Sequence, residues 1–311
     1  MTNLKKLGLT ALAGSLVATS AFAGEMSVGG TAKVSYTSGD TLTSTGNAWS
    51  ASNALSFSGG GELDNGMTVS VSIATDTGST TFSSSNLVLD MGDAGVFAVS
   101  KEMSSGHGYN AYMDKMPTAG EEVWDDMSGE ANGRVGMEDN GTISYGNSLA
   151  GANFSVAYNK DSANANGSDK SIAVDYAPMD GLMVFAARAD ISSGTTVVTD
   201  KHTTYGATYT AGGATVGIQQ TSLAKDAANS DVDRTHIAAS FAINENLSIS
   251  YGMSTVEFES ATSVDQEDSG FAASYTMGSM SFSASSNKSD NAGGTSGNDD
   301  THKEISVAFA F

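Results

Sequence analysis

The chain has no cysteine, only two prolines (Pro117 and Pro178), three arginines (Arg134, Arg188 and Arg234) and no apolar run long enough to cross a bilayer as a helix. Without cysteine there is no disulfide scaffold, no thiolate nucleophile and no Cys-ligated metal. With so little proline, no Pro-rich linker divides the chain into domains. Base is scarce too: 14 Lys and Arg face 35 Asp and Glu, a formal net charge of -21. That sign argues against nucleic-acid binding, which needs phosphate-neutralising cations, and favours solubility of exposed loops and attraction of cations. The four histidines, His107, His202, His236 and His302, form no HExxH or other close ligand spacing. Serine is so abundant that a Ser near a His is expected by chance. The chain reads as a non-enzyme, and a hydrolase is the minor alternative.

What is present begins with an export signal. Lys5 and Lys6 precede a short apolar core from Leu7 to Val17, and Ala21-Phe22-Ala23 has the A-x-A form of a cleavage site. Residues 1–23 are therefore expected to be removed, leaving 24–311 as one unit beyond the inner membrane of a bacterium. Gly, Ser, Thr, Ala and Asn are used heavily. Disorder would share that composition, but recurrent alternation with Val, Ile, Phe and Tyr opposes it.

The alternation has a period of two. In Met67–Thr75, Met67, Val69, Val71 and Ile73 alternate with Thr68, Ser70 and Ser72. The last segment, Ile305-Ser306-Val307-Ala308-Phe309-Ala310-Phe311, keeps the rule up to a terminal aromatic. About sixteen such segments can be laid along the chain. A bulge is expected in Leu247–Phe258, where one face is broken. Short turns such as Asp64-Asn65-Gly66 and Met179-Asp180-Gly181 strictly alternate with long polar connections, the longest running over 102–140. Asn-Gly and Asp-Gly tolerate positive φ and suit hairpins. The expected fold is all-β: a 16-stranded antiparallel transmembrane β-barrel with short periplasmic turns and long external loops, in the outer membrane of a Gram-negative bacterium. A soluble sandwich rarely needs so many sequential hairpins, and the nonapeptides of a calcium-binding β-roll are missing.

The A-F-A signal end, the opening strand Gly29-Gly30-Thr31-Ala32-Lys33-Val34, the hairpin Leu87-Val88-Leu89-Asp90-Met91-Gly92 and the terminal Phe311 resemble the general porins of alphaproteobacteria, the Rhodobacter-like family. The resemblance spans essentially the whole of 24–311. It implies a trimeric barrel with a water-filled pore that passes small hydrophilic solutes and ions. It also implies a third loop folded into the barrel, and Phe311 as the signal read by the barrel-insertion machinery. Bound calcium occurs in some members, so calcium is possible here; no other cofactor is implied. The implied surroundings are outer-membrane lipid and lipopolysaccharide.

The constriction loop falls on 102–140, where the candidate constriction carboxylates are Glu102, Asp114, Glu121, Glu122, Asp125, Asp126 and Glu130. Acid lining a watery aperture attracts cations, so a cation-preferring pore is expected. By parity the polar wall should carry Lys33, Glu62, Asp175, Arg188, Arg234, His236 and Glu304. For each of these acids the plain alternative is a solvated external loop, and for each wall residue a hydrated charge or structural ion pair. A substrate-specific channel and a structural or adhesive barrel are the rival functions. The latter is disfavoured because so wide a barrel needs a plug or water, and no extra domain supplies a plug.

Overall fold

The computed structural model describes residues 26–39, 47–77, 83–101, 108–113, 115–120, 123, 140–160, 167–193 and 198–311. The expected signal segment 1–23 lies outside them. Sixteen strands run through the described residues: β1 (Ser27–Gly39), β2 (Trp49–Glu62), β3 (Thr68–Asp76), β4 (Ser84–Asp90), β5 (Val96–Lys101), β6 (Asn140–Leu149), β7 (Ala152–Asn159), β8 (Asp169–Met179), β9 (Leu182–Ser193), β10 (Val198–Ala211), β11 (Ala214–Ala224), β12 (Val232–Ala242), β13 (Leu247–Phe258), β14 (Gln266–Met277), β15 (Met280–Asp290) and β16 (Asp300–Ala310). Each pairs antiparallel with its sequence neighbours, and β1 pairs with β16, so the sheet is a closed barrel. Closure satisfies every edge, which a sheet in hydrocarbon requires.

Phe311 completes the seam. Its N–H donates to the Gly30 carbonyl at 2.9 Å, and its carbonyl accepts from Gly30 N–H at 2.7 Å. The Phe311 ring lies over Gly30, where a Cβ would sit 2.5 Å from ring carbon Cε2. Any Cβ there would force the terminal ring to move.

Short turns follow the even-numbered strands, and longer connections follow the odd-numbered ones except β9, where the expected long connection at 191–200 shrinks to 194–197 because β9 and β10 extend into it. Gly66 at φ 82° and Gly181 at φ 76° hold the left-handed positions of two tight turns. The expected bulge in β13 is absent: its register with β12 and β14 is regular. Irregularities occur instead at Ser100/Lys101 and between Tyr176 and Met179, beside Pro178, which cannot donate to the ladder.

The outer face carries the apolar half of the alternation. Ile172, Ile237, Phe271 and Phe309 are 46–57% exposed and point away from the barrel. Large apolar side chains in such number around a whole wall need hydrocarbon rather than water. Tyr36 and Trp49 form an edge-to-face pair on this face, with centroids 5.2 Å apart. The buried apolar cluster lies inside the barrel, on one side of it. Tyr109, Tyr112, Met116 and Val123, from the connection between β5 and β6, pack on Ala157, Ala173, Phe185, Ala187, Ala189, Ile191 and Ala238 of the wall.

Candidate functional site

The site is the barrel interior, and hydrogen bonding fixes one side of it. Gly108 N–H donates to Ser155 Oγ of β7 at 2.8 Å, and Tyr109 N–H to Ser171 Oγ of β8 at 3.1 Å. The Tyr112 hydroxyl donates to Asp175 Oδ2 of β8, and the Tyr112 ring stacks on Phe185 of β9 at 5.9 Å. Farther along, Ala119 N–H donates to Ser250 Oγ of β13 at 2.8 Å. Described residues between Gly108 and Val123 thus run along the inner wall from β7 to β14.

Gln219 of β11 is the central anchor. Its Nε2 donates to the carbonyls of Tyr112 and Met113, both at 3.0 Å, and to Thr204 Oγ1 at 2.8 Å. Its Oε1 accepts from Lys115 N–H at 3.1 Å. The side chain is fully buried, so these bonds are made out of competition with water. Two glycines make space for the segment. A Cβ at Gly217 would meet Pro117 Cδ at 2.8 Å, and one at Gly270 would meet Val123 Cγ2 at 2.7 Å. Burial, and then the acceptor Asp175, raise the Tyr112 pKa above its ordinary value, so the phenol keeps its donor proton.

Among the described residues, the other side of the interior is open. The inward residues Ser56, Ser58 and Glu62 of β2 and Ser70 and Ser72 of β3 are exposed, whereas inward residues of β8 to β13 are mostly buried. Serine pairs line this side, with Ser35 Oγ to Ser50 Oγ and Ser283 Oγ to Ser306 Oγ both at 2.6 Å. Among the described residues, the serine-rich wall thus faces the segment held against the opposite one.

The wall residues expected from parity divide. Lys33 and Glu304 share the inner face and form an ion pair at 2.7 Å. Asp175 is inward, holding Tyr112 and accepting from Asn153 Nδ2 at 2.8 Å. Arg234 and His236 are inward on β12 and buried, and Glu62 is inward and exposed beside a short turn. Arg188 is a correction. It projects from the outer face, with its side chain 55% exposed and 3.4 Å from Asp190. Parity misled because β9 is apolar on both faces: Phe185, Ala187, Ala189 and Ile191 lie under the covering segment, and Val184 and Ala186 are exposed on the outside with Arg188. The acids Glu102, Asp114, Glu121, Glu122, Asp125, Asp126 and Glu130 lie outside the described residues. Gln219, Ser155, Ser171 and Ser250 were missed as anchors. Their inward parity was legible, but nothing local says that a distant segment comes to meet them.

A family model described as Gram-negative porin matches residues 8–311. The chain belongs to the Gram-negative porins. No curated protein sequence matches this porin. Solved structures do. A multiply substituted Rhodopseudomonas blastica porin shares 16% identity at a TM-score of 0.65, covering 92% of this chain and 100% of that one. A porin refined at 1.8 Å resolution shares 15% identity at a TM-score of 0.67 with the same coverage. At such identity the likeness speaks for the fold, while family membership rests on the match along the sequence. As a Gram-negative porin the chain spans the outer membrane with its strands and forms a diffusion channel. Among the described residues no group of three or more His, Asp or Glu is arranged to hold a metal ion.

Proposed function

We propose that this porin is a general diffusion pore for small hydrophilic solutes and ions, that it prefers cations, and that segment 102–140 is its constriction. The observation that carries the reading is the run of contacts from Gly108 to Val123 along the inner wall, anchored by Gln219. In the sequence the same segment holds Glu102, Asp114, Glu121, Glu122, Asp125, Asp126 and Glu130 against Lys115 and Arg134 as its bases. Carboxylates beside a narrow aqueous path raise the local cation concentration and oppose anions. The open serine wall supports breadth of substrate, because hydroxyls hydrate a solute without selecting its shape. A homotrimer in lipopolysaccharide-containing membrane is the assembly in which we place it.

Single-channel recording in a planar bilayer under a salt gradient tests this. The wild type should give large, stable steps and a cation-selective reversal potential. Joint replacement Glu121→Gln, Glu122→Gln, Asp125→Asn and Asp126→Asn should move that potential toward zero. An unchanged potential rejects the role given to these acids. Silence of a correctly folded barrel would favour a structural barrel, and saturation by one solute a specific channel.

A further inference from the structure

An ion pair stands on the open side of the interior. Lys33 of β1 and Glu304 of β16 meet at 2.7 Å, with their side chains 40% and 20% exposed. They are not cross-strand partners. Lys33 faces Ala308 and Glu304 faces Thr37, and the Ser35–Ser306 row lies between. To reach the carboxylate the lysine must lean along the strand, over those two serines. Their burial agrees with a lysine stem lying across them. Ser35 and Ser306 are 5% and 3% exposed, whereas Ser56, Ser58 and Ser70 of the same side are exposed. Hydroxyl contacts of 2.6 Å hold both serines in place, Ser35 to Ser50 and Ser306 to Ser283.

The pair shares a cross-strand row with the seat of the covering segment. Ala119 N–H donates to Ser250, and from Ser250 the row runs through Ala272 and Ser285 to Glu304. Ala272 is buried, while Ser285 and Glu304 are half-buried. Strands lie about 4.8 Å apart, so Glu304 is about 14 Å along the wall from that bond. It borders the region where the segment stops covering the wall. Among the described residues of β1 to β4, β15 and β16, Lys33 is the one inward base. Lys288 and Lys303 alternate with the buried Asn287, Ser289 and His302, and so point outward.

We propose that Glu304 is a positioning residue for ion specificity, which ties Lys33 down along the wall and keeps a free ammonium out of the lumen. Opposite charges this close act on a passing ion as a short dipole, far more weakly than either charge alone. Released, the ammonium would swing into the lumen on its flexible four-carbon stem and offer three donors to anions. The open wall is thereby held neutral and does not oppose a preference for cations. The inference rests on the reading of this porin as an ion-passing pore, but not on the carboxylates of 102–140.

The test is planar-bilayer recording of the full, folded chain under a potassium chloride gradient, with inorganic tripolyphosphate as the anionic probe. Glu304→Gln should lower the potassium-to-chloride permeability ratio about twofold at about 0.1 M salt, where one charge still acts across about 10 Å. Adding Lys33→Gln should restore the wild-type ratio, because it removes the ammonium that the first change released. Tripolyphosphate should block Glu304→Gln at a several-fold lower concentration than it blocks wild type or the double variant. Lys303→Gln, beside Glu304 but on the outer face, should alter neither reading. Unchanged heat-modifiable migration would show that the variants are folded. Should Glu304→Gln not fold, the exchange Lys33→Glu with Glu304→Lys keeps the pair and should keep the wild-type ratio. A wild-type ratio in Glu304→Gln would overturn the proposal, and so would a double variant as shifted as Glu304→Gln alone, since Glu304 would then act without Lys33. Equal tripolyphosphate block in all variants, or an altered ratio in the exchange, would also overturn it. Silence of the wild type would instead overturn the pore reading on which it rests.

Discussion

Gln219 makes four hydrogen bonds from one side chain, three of them to the backbone of a connection more than a hundred residues away. Replacing it with leucine would leave the carbonyls of Tyr112 and Met113 and the Lys115 N–H buried against an apolar group. Each unpaired buried group costs about 1–3 kcal/mol. The barrel ladder does not depend on this side chain, so Gln219→Leu should fold and insert while the segment detaches more often. Single-channel records should show added open-channel noise or larger substates, with unchanged heat-modifiable migration. A quiet channel of wild-type conductance would mean that the other anchors suffice. Arg188 carries a different lesson at this scale. A charged side chain on an alternating strand is not thereby a lumen residue, because where a segment covers the interior both faces of the wall are apolar and alternation no longer marks the inner one.

At the scale of elements, the seat of the 108–123 segment depends on what the wall omits. Gly270 leaves the space that Val123 fills, with Asn287 Oδ1 also close to where a Cβ would stand. Gly270→Val should overpack this seat by about 1–3 kcal/mol and lift the segment there. It should change conductance and solute cut-off together, as read from liposome swelling with sugars of increasing size. Unaltered swelling rates would argue that the lifted part lies off the path. The β1–β16 seam responds to different residues. Phe311→Ala removes the ring that lies over Gly30 but keeps the backbone bonds. Assembly should therefore slow, seen as a longer-lived heat-labile form in pulse-chase, while the finished barrel conducts normally. Wild-type assembly kinetics would count against a signalling role for this residue.

The whole molecule is asymmetric around its axis. Its buried apolar cluster lies on the β7–β12 side, and exposed serines line β2 and β3. Water filling the path between them screens charge as bulk electrolyte does. The Debye length falls from about 10 Å at 0.1 M to about 3 Å at 1 M salt. On the proposed role of the 102–140 carboxylates, cation preference should therefore fade over that range. Reversal potentials at a fixed tenfold gradient but rising mean concentration would show the decline. A preference that persists undiminished in concentrated salt would point to direct ion coordination rather than a screened field.

Period-two alternation, the ordering of short and long connections and the apolar faces were enough to give sixteen strands, closure and the membrane-facing set, because these follow from each strand's own residues and its immediate neighbours. The same local signals misread β13, where a broken face did not bend the strand, and missed the irregularity beside Pro178. Composition alone determined the acidic balance and the absence of thiol chemistry. The tertiary structure decided which inward faces are wet and which are covered. It paired Tyr112 with Asp175 and Gln219 with the Tyr112–Lys115 backbone, and it turned Arg188 outward. The physical reason is separation along the chain: a strand's alternation records only that its two faces differ, whereas what covers each face comes from a segment folded back across the lumen from far away in sequence.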